Sequence, residues 1–206
     1  MTLSRRWLLA VLPAILAGRH AASAAEPGGA PTALIERYYG ELLAVMKEAK
    51  RLTFDQRYAR LAPAIARTFD LPLMTRIAIG PGWARLAPDQ QQRLGEAFSR
   101  YTISNYANRF DDYNGERFEV DPNPAANQNG MLVKTGLIKS NGEKVVLNYL
   151  MRQDAAGSWK VIDVYLSGTV SELAARRSEF VTVLQRDGAD GLVRMIDQRT
   201  AALRAG

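Results

Sequence analysis

The chain has 206 residues and a formal charge of +6, from 27 Lys and Arg against 21 Asp and Glu, with no Cys and one His, His20. Without thiols there is no Cys nucleophile, thiolate metal site or disulfide, and a lone His so near the start leaves the body of the chain without a His-based triad or His-ligated zinc site. The basic residues form no dense cluster, and Arg5, Arg6 and Arg19 fall in the first 25 residues, so the concentrated patch that nucleic acid requires is not indicated.

Met1 to Arg6 carries a charged start, Trp7 to Ala17 is apolar, and Ala22-Ser23-Ala24 supplies small residues. This order predicts a secretory signal peptide over 1–25, cleaved near Ala24 or Ala25, with export to the periplasm. The apolar run is too short to span a membrane. Ser4-Arg5-Arg6 also resembles a twin-arginine signal, and the export route stays open. The remainder, 26–206, is of a size for a single domain with its own core.

After the Gly- and Pro-containing lead from Glu26 to Pro31, apolar residues recur with helical period at Leu34, Tyr38, Leu42 and Val45. Thr53-x-x-Gln56 predicts a capping box opening a second helix towards Phe69. Asp70 is placed to cap a short third helix containing Leu73, Met74 and Ile77, and Gly80-Pro81-Gly82 breaks the chain. A long fourth helix, about Asp89 to Phe110, puts Leu94, Phe98, Tyr101 and Asn105 on one stripe and Ile103, Tyr106 and Phe110 on its flank. Beyond Asn114-Gly115 the period changes to two, predicting four strands of an antiparallel meander over 116–121, 131–140, 143–154 and 158–166. Asn141-Gly142 marks a hairpin, and Asn123 to Asn129 reads as a loop. In the third strand Val145, Leu147, Tyr149 and Met151 share a face; in the fourth, Ile162, Val164 and Leu166 oppose Trp159, Val161, Asp163 and Tyr165. Helical period returns after Gly168-Thr169, with one helix ending at Gly188 and another following. Helices, sheet and helices again predict an α+β layer fold.

Three segments, RYARLAPAIARTFDLPLMTRIAIGPGWARLAPDQQQ, YTISNYANRFDDYNGERF and WKVIDVYLSGTVSELAARRSEF, together resemble the MlaC or toluene-tolerance family of periplasmic lipid-binding proteins. The similarity is closest to the hopanoid-associated HpnM branch. It implies a cystatin- or NTF2-like fold in which a four-stranded antiparallel sheet, wrapped by several helices, encloses an apolar cavity. It also implies a phospholipid or hopanoid ligand, and docking to an inner-membrane ABC transporter complex and an outer-membrane lipoprotein complex. No cofactor, metal or catalytic residue is implied.

On this reading Met74, Ile77, Phe98, Tyr101, Tyr106, Leu147, Tyr149, Met151 and Val164 are the candidate cavity-lining residues. The competing reading of each is ordinary core. Asp163, a lone carboxylate among apolar neighbours, could act as a general base with Tyr149 or Tyr165 in an NTF2-like enzyme on an apolar substrate. The favoured alternative is an ion pair with Arg176 or Arg177 tying the sheet to the next helix. Trp83 reads as a packing anchor in preference to a gate, and Arg85, Arg93 and Arg109 as solvated in preference to phosphate-binding. A ligand-free structural adaptor is the third function class.

Overall fold

The computed structural model describes residues 30–205; the expected signal peptide lies outside them. The helical first half is set by local caps. Helix α1, Pro31–Glu48, runs on through a 3-10 turn at Ala49–Arg51. Helix α2, Phe54–Thr68, starts at a capping box in which the Thr53 hydroxyl accepts from the Gln56 N–H at 3.2 Å and the Gln56 side chain accepts from the Thr53 N–H at 2.8 Å. That satisfies two amides no helical carbonyl can reach. Asp70 caps α3, Leu71–Ile79, by accepting from the Leu73 N–H at 3.0 Å. Gly80–Arg85 forms a 3-10 turn, and α4, Pro88–Arg109, begins with proline where no N–H is needed.

The sheet contains seven strands: β1 Arg117–Val120, β2 Ala125–Asn127, β3 Gly130–Val133, β4 Thr135–Ile138, β5 Lys144–Gln153, β6 Trp159–Leu166 and β7 Val170–Ser171. The predicted four-strand meander is its frame, since β1, β4, β5 and β6 pair antiparallel in chain order. The second predicted strand is broken at Lys134 into β3 and β4, both of which pair with β5. The break has a side-chain cause. The Thr135 N–H bonds the Asn148 side chain at 3.2 Å, and the Thr135 hydroxyl donates to the Leu147 carbonyl. The segment 123–129, expected as a loop, supplies β2, which pairs with β3. Gly130, at φ 150°, starts β3; a Cβ there would stand 2.1 Å from the Met151 carbonyl oxygen, so only glycine permits this approach.

Tyr149 pairs with Val164 and Leu150 with Asp163, but Met151 pairs with Val161, because a bulge at Ile162 inserts one residue. Val161 therefore joins the face of Val164, correcting the strict alternation expected from the sequence. Its buried side chain enters the same core as Met151, Tyr149 and Val133, together with Ile35, Tyr38 and Leu42 of α1 and Leu61 and Ile65 of α2. The Val161 carbonyl also accepts from the Asp70 N–H at 2.9 Å, which fastens the α2–α3 junction to β6 and sets Phe69 beside the sheet. Helix α5, Glu172–Ala205, packs along α4 and is interrupted at Gly188, whose φ of 69° and ψ of −173° separate two helical halves at the predicted boundary.

Candidate ligand cavity

Between α4, the start of α5 and the inner face of β5 and β6 lies a cavity of about 110 Å³. Helix α4 contributes Phe98, Tyr101, Thr102, Asn105, Tyr106, Arg109 and Phe110. Their spacings of one, three and four residues place them on one helical face. The sheet contributes Leu147, Tyr149, Val164 and Leu166; Phe69 and Met74 close one side, and Glu172, Leu173 and Arg176 of α5 the other.

Of the residues expected to line a cavity, Met74, Phe98, Tyr101, Tyr106, Leu147, Tyr149 and Val164 do so. Met151 does not: it is fully buried, with β3 on one side and β6 on the other, and belongs to the dense core. Ile77 is also outside; its partly buried side chain packs against the core from α3 and its carbonyl accepts from the Arg177 guanidinium at 3.0 Å. Sequence reasoning missed Phe69, Phe110, Leu166 and Leu173 as lining residues, although each had been placed in a helix or strand. It also left out the polar residues Thr102, Asn105, Glu172 and Arg176, and it read Arg109 as solvated. The shared face of Thr102, Asn105 and Arg109 on α4, and that of Glu172 and Arg176 on α5, were readable, but what those faces look onto was not.

The cavity lining is mostly apolar, with Arg109 of α4 and Glu172 and Arg176 of α5 as its charged groups. Arg176 donates to Glu172 and to the Tyr101 hydroxyl, both at 2.6 Å, and its guanidinium lies 4.9 Å from the centre of the Tyr101 ring. Burial pushes the Tyr101 phenol up and is the largest single influence, but the Arg176 charge and hydrogen bond, the Asn105 side chain and the Arg199 charge together outweigh it, and the net shift is downward. Tyr106 faces the opposite outcome: burial dominates and its phenol is pushed up to about 12. Tyr38, Tyr39 and Tyr149 are raised as well, first by burial, so none of these four phenols ionises near neutral pH. The Tyr39 hydroxyl is tied to Thr135 at 2.6 Å.

Asp163 lies on the other face of β6 from Val164 and does not line the cavity, so it forms no acid–base pair there with Tyr149. The expected ion pair is also absent: Arg176 goes to Glu172, and Arg177 to the Ile77 carbonyl. Asp163 instead accepts from the Ser171 hydroxyl and, at 3.4 Å, from the Leu173 N–H, while Ser171 accepts from the Ala174 N–H at 2.9 Å. It therefore joins the sheet to the start of α5 by capping. Trp83 packs against the core away from the cavity, in a shallow groove with Tyr58, Pro72 and Ile103. Among the described residues no His, Cys, Asp or Glu group is arranged to hold a metal, and no helix is long and apolar enough to cross a membrane.

Residues 36–198 match the family model described as MlaC protein. The chain belongs to the MlaC family. Over 107 residues it is 30% identical to the toluene tolerance protein ttg2D of Pseudomonas putida, a match covering 52% of this chain and 48% of that relative. The chain thus spans about half the length of that curated relative. The fold resembles a phospholipid-binding protein of Ralstonia solanacearum solved in complex with a phospholipid, with TM-score 0.73 and 26% identity over 84% of this chain and 98% of that one. This MlaC-family chain shares with that protein the mixed helical and antiparallel architecture.

Proposed function

We propose that this MlaC-family protein is a non-catalytic lipid carrier that takes the tails of a phospholipid or a hopanoid-type lipid into the cavity between α4 and the sheet. The observation that carries the reading is this apolar cavity, set in a fold that aligns with almost the whole of a phospholipid-bound protein. Transfer of an acyl chain of about 16 carbons into water costs on the order of 12 kcal/mol at about 0.8 kcal/mol per methylene, so a lipid crosses an aqueous compartment at a useful rate only when shielded. A mostly apolar cavity with few charged groups in its lining provides that shield. The chain is then an exported periplasmic domain, cleaved near Ala24 or Ala25, of the HpnM branch. Its exchange partners are an inner-membrane ABC transporter complex and an outer-membrane lipoprotein complex.

The NTF2-like enzyme reading loses support because Asp163 is committed to capping α5 on the far side of β6. Solvent extraction of the purified protein followed by mass spectrometry is the test. A near-stoichiometric phospholipid or hopanoid is expected; protein that is folded and free of lipid, and takes none up from vesicles, would sink the carrier reading.

A further inference from the structure

Thr102, Asn105 and Arg109 follow one another along α4 at spacings of three and four and line the cavity beside its aromatic wall. Of the other cations around α4, Arg176 is matched by Glu172, Arg199 by Glu179, Arg100 by Asp197 and Arg93 by Asp190, and Arg57, at the same end of the helix, is held by the Ala107 and Leu52 carbonyls. Exposed Arg109 has no carboxylate partner among the described residues. Of the three charged groups lining the cavity, Glu172 and Arg176 neutralise each other, and Arg109 leaves one positive charge unmatched at the edge of an apolar space. An unpaired cation there fits one kind of ligand, an amphiphile with an anionic head.

We propose that Arg109 recognises the phosphate of a lipid whose tails occupy the cavity, so that the protein selects phosphate-bearing over neutral amphiphiles. The inference rests on the carrier reading and adds a headgroup subsite to it. A guanidinium suits the role because its planar fork can place two N–H donors on two phosphate oxygens. The uncommitted Thr102 hydroxyl lies two helical turns back on the same line, within the polar side of the cavity. Neither Arg93, held by Asp190, nor Arg85, which lines a separate groove with Leu86 and Leu184, is placed to do this.

The test compares a lysophosphatidate with a monoacylglycerol of the same chain length, titrated against the wild type, Arg109→Gln, Arg109→Lys and Arg85→Gln. Arg85→Gln removes the same charge from an exposed site away from the cavity. Arg109→Gln should weaken lysophosphatidate about tenfold, the scale of one charge-assisted hydrogen bond, and leave the monoacylglycerol within about twofold. Arg109→Lys should recover part of the loss, and Arg85→Gln should match the wild type. Equal weakening of both amphiphiles by Arg109→Gln, or an equal loss in Arg85→Gln, overturns the proposal. Saturable binding of inorganic phosphate alone that vanishes in Arg109→Gln would make this a free-anion site and overturn the lipid assignment. Failure of the wild type to bind either amphiphile is a separate outcome, which removes the carrier reading and the headgroup subsite with it.

Discussion

Tyr38 and Tyr39 are neighbours in the chain, both buried in the core, and their hydroxyls meet different environments. The Thr135 hydroxyl donates to the Leu147 carbonyl, so Tyr39 must be the donor in its own bond to Thr135. The Tyr38 hydroxyl is buried with no partner among the described residues. Tyr39→Phe should therefore cost about 1 kcal/mol, whereas Tyr38→Phe, which removes a desolvated group that gains nothing in return, should be neutral or stabilising. Denaturant midpoints of the two variants test this, and equal losses would contradict it. Asp163 gives a pH-dependent counterpart. Burial raises its carboxyl above the ordinary 3.8 despite the bonds from Ser171, Val164 and Leu173. The folded state thus binds the proton more tightly than the unfolded one. Its contribution to stability is greatest below the unfolded value, falls as pH rises through the folded value, and is flat beyond. Asp163→Asn mimics the neutral form, so its cost relative to wild type should shrink between pH 4 and pH 7 (about the span over which a buried carboxyl titrates). A cost that grows with pH would mean that the charge itself holds the cap.

At the scale of elements, β5 carries two kinds of apolar residue on one face. Leu147 looks into the cavity, whereas Met151, four residues on, is clasped between β3 and β6 with no space around it. A charge at Met151 has neither room nor partner. Met151→Glu should therefore destabilise by about 3 kcal/mol or more and abolish folding at moderate temperature. Leu147→Glu can direct its carboxylate towards the cavity space, so the expected result is near-native melting with loss of bound lipid. Phe98 is nearly buried yet lines the cavity, and Phe98→Glu should lose both in part. Melting curves read alongside lipid content separate these cases; identical behaviour at 147 and 151 would show that the cavity is not the binding space.

For the whole molecule, size is the issue. The cavity of about 110 Å³ is smaller than the roughly 300 Å³ at which ligand pockets usually begin, so a bound lipid requires the walls to part. The walls differ in how readily they can move. Strands β5 and β6 are held by a long ladder interrupted by the bulge at Ile162, and α4 is packed between α2 and α5. The first half of α5, residues 172–187, brings Glu172, Leu173 and Arg176 to the cavity and is bounded by positive-φ positions on both sides, Ser167 and Gly168 before it and Gly188 after it. Lipid loading should therefore change amide exchange most in residues 172–187, with β5 and β6 nearly unaffected. Larger changes in the sheet than in α5 would identify the other wall as the one that moves.

Local chemistry made much of this architecture readable from the sequence. The Thr53–Gln56 box, the Asp70 cap, the Asn141-Gly142 hairpin and the break at Gly188 each depend on residues within a few positions of one another. Period alone assigned the order of helices, strands and helices, and the faces that include Phe98, Tyr106, Leu147, Tyr149 and Val164. Tertiary structure decided what each face meets. The bulge at Ile162 turned Val161 inward, and Asn148 replaced ladder bonds at Thr135 to break a strand. Glu172 took the arginine expected for Asp163, and the packing of β3 and β6 closed the space around Met151 while leaving it open at Leu147. Backbone period reports the direction of a side chain, but partnership and empty volume depend on where distant elements come to rest, and those contacts have no local signature.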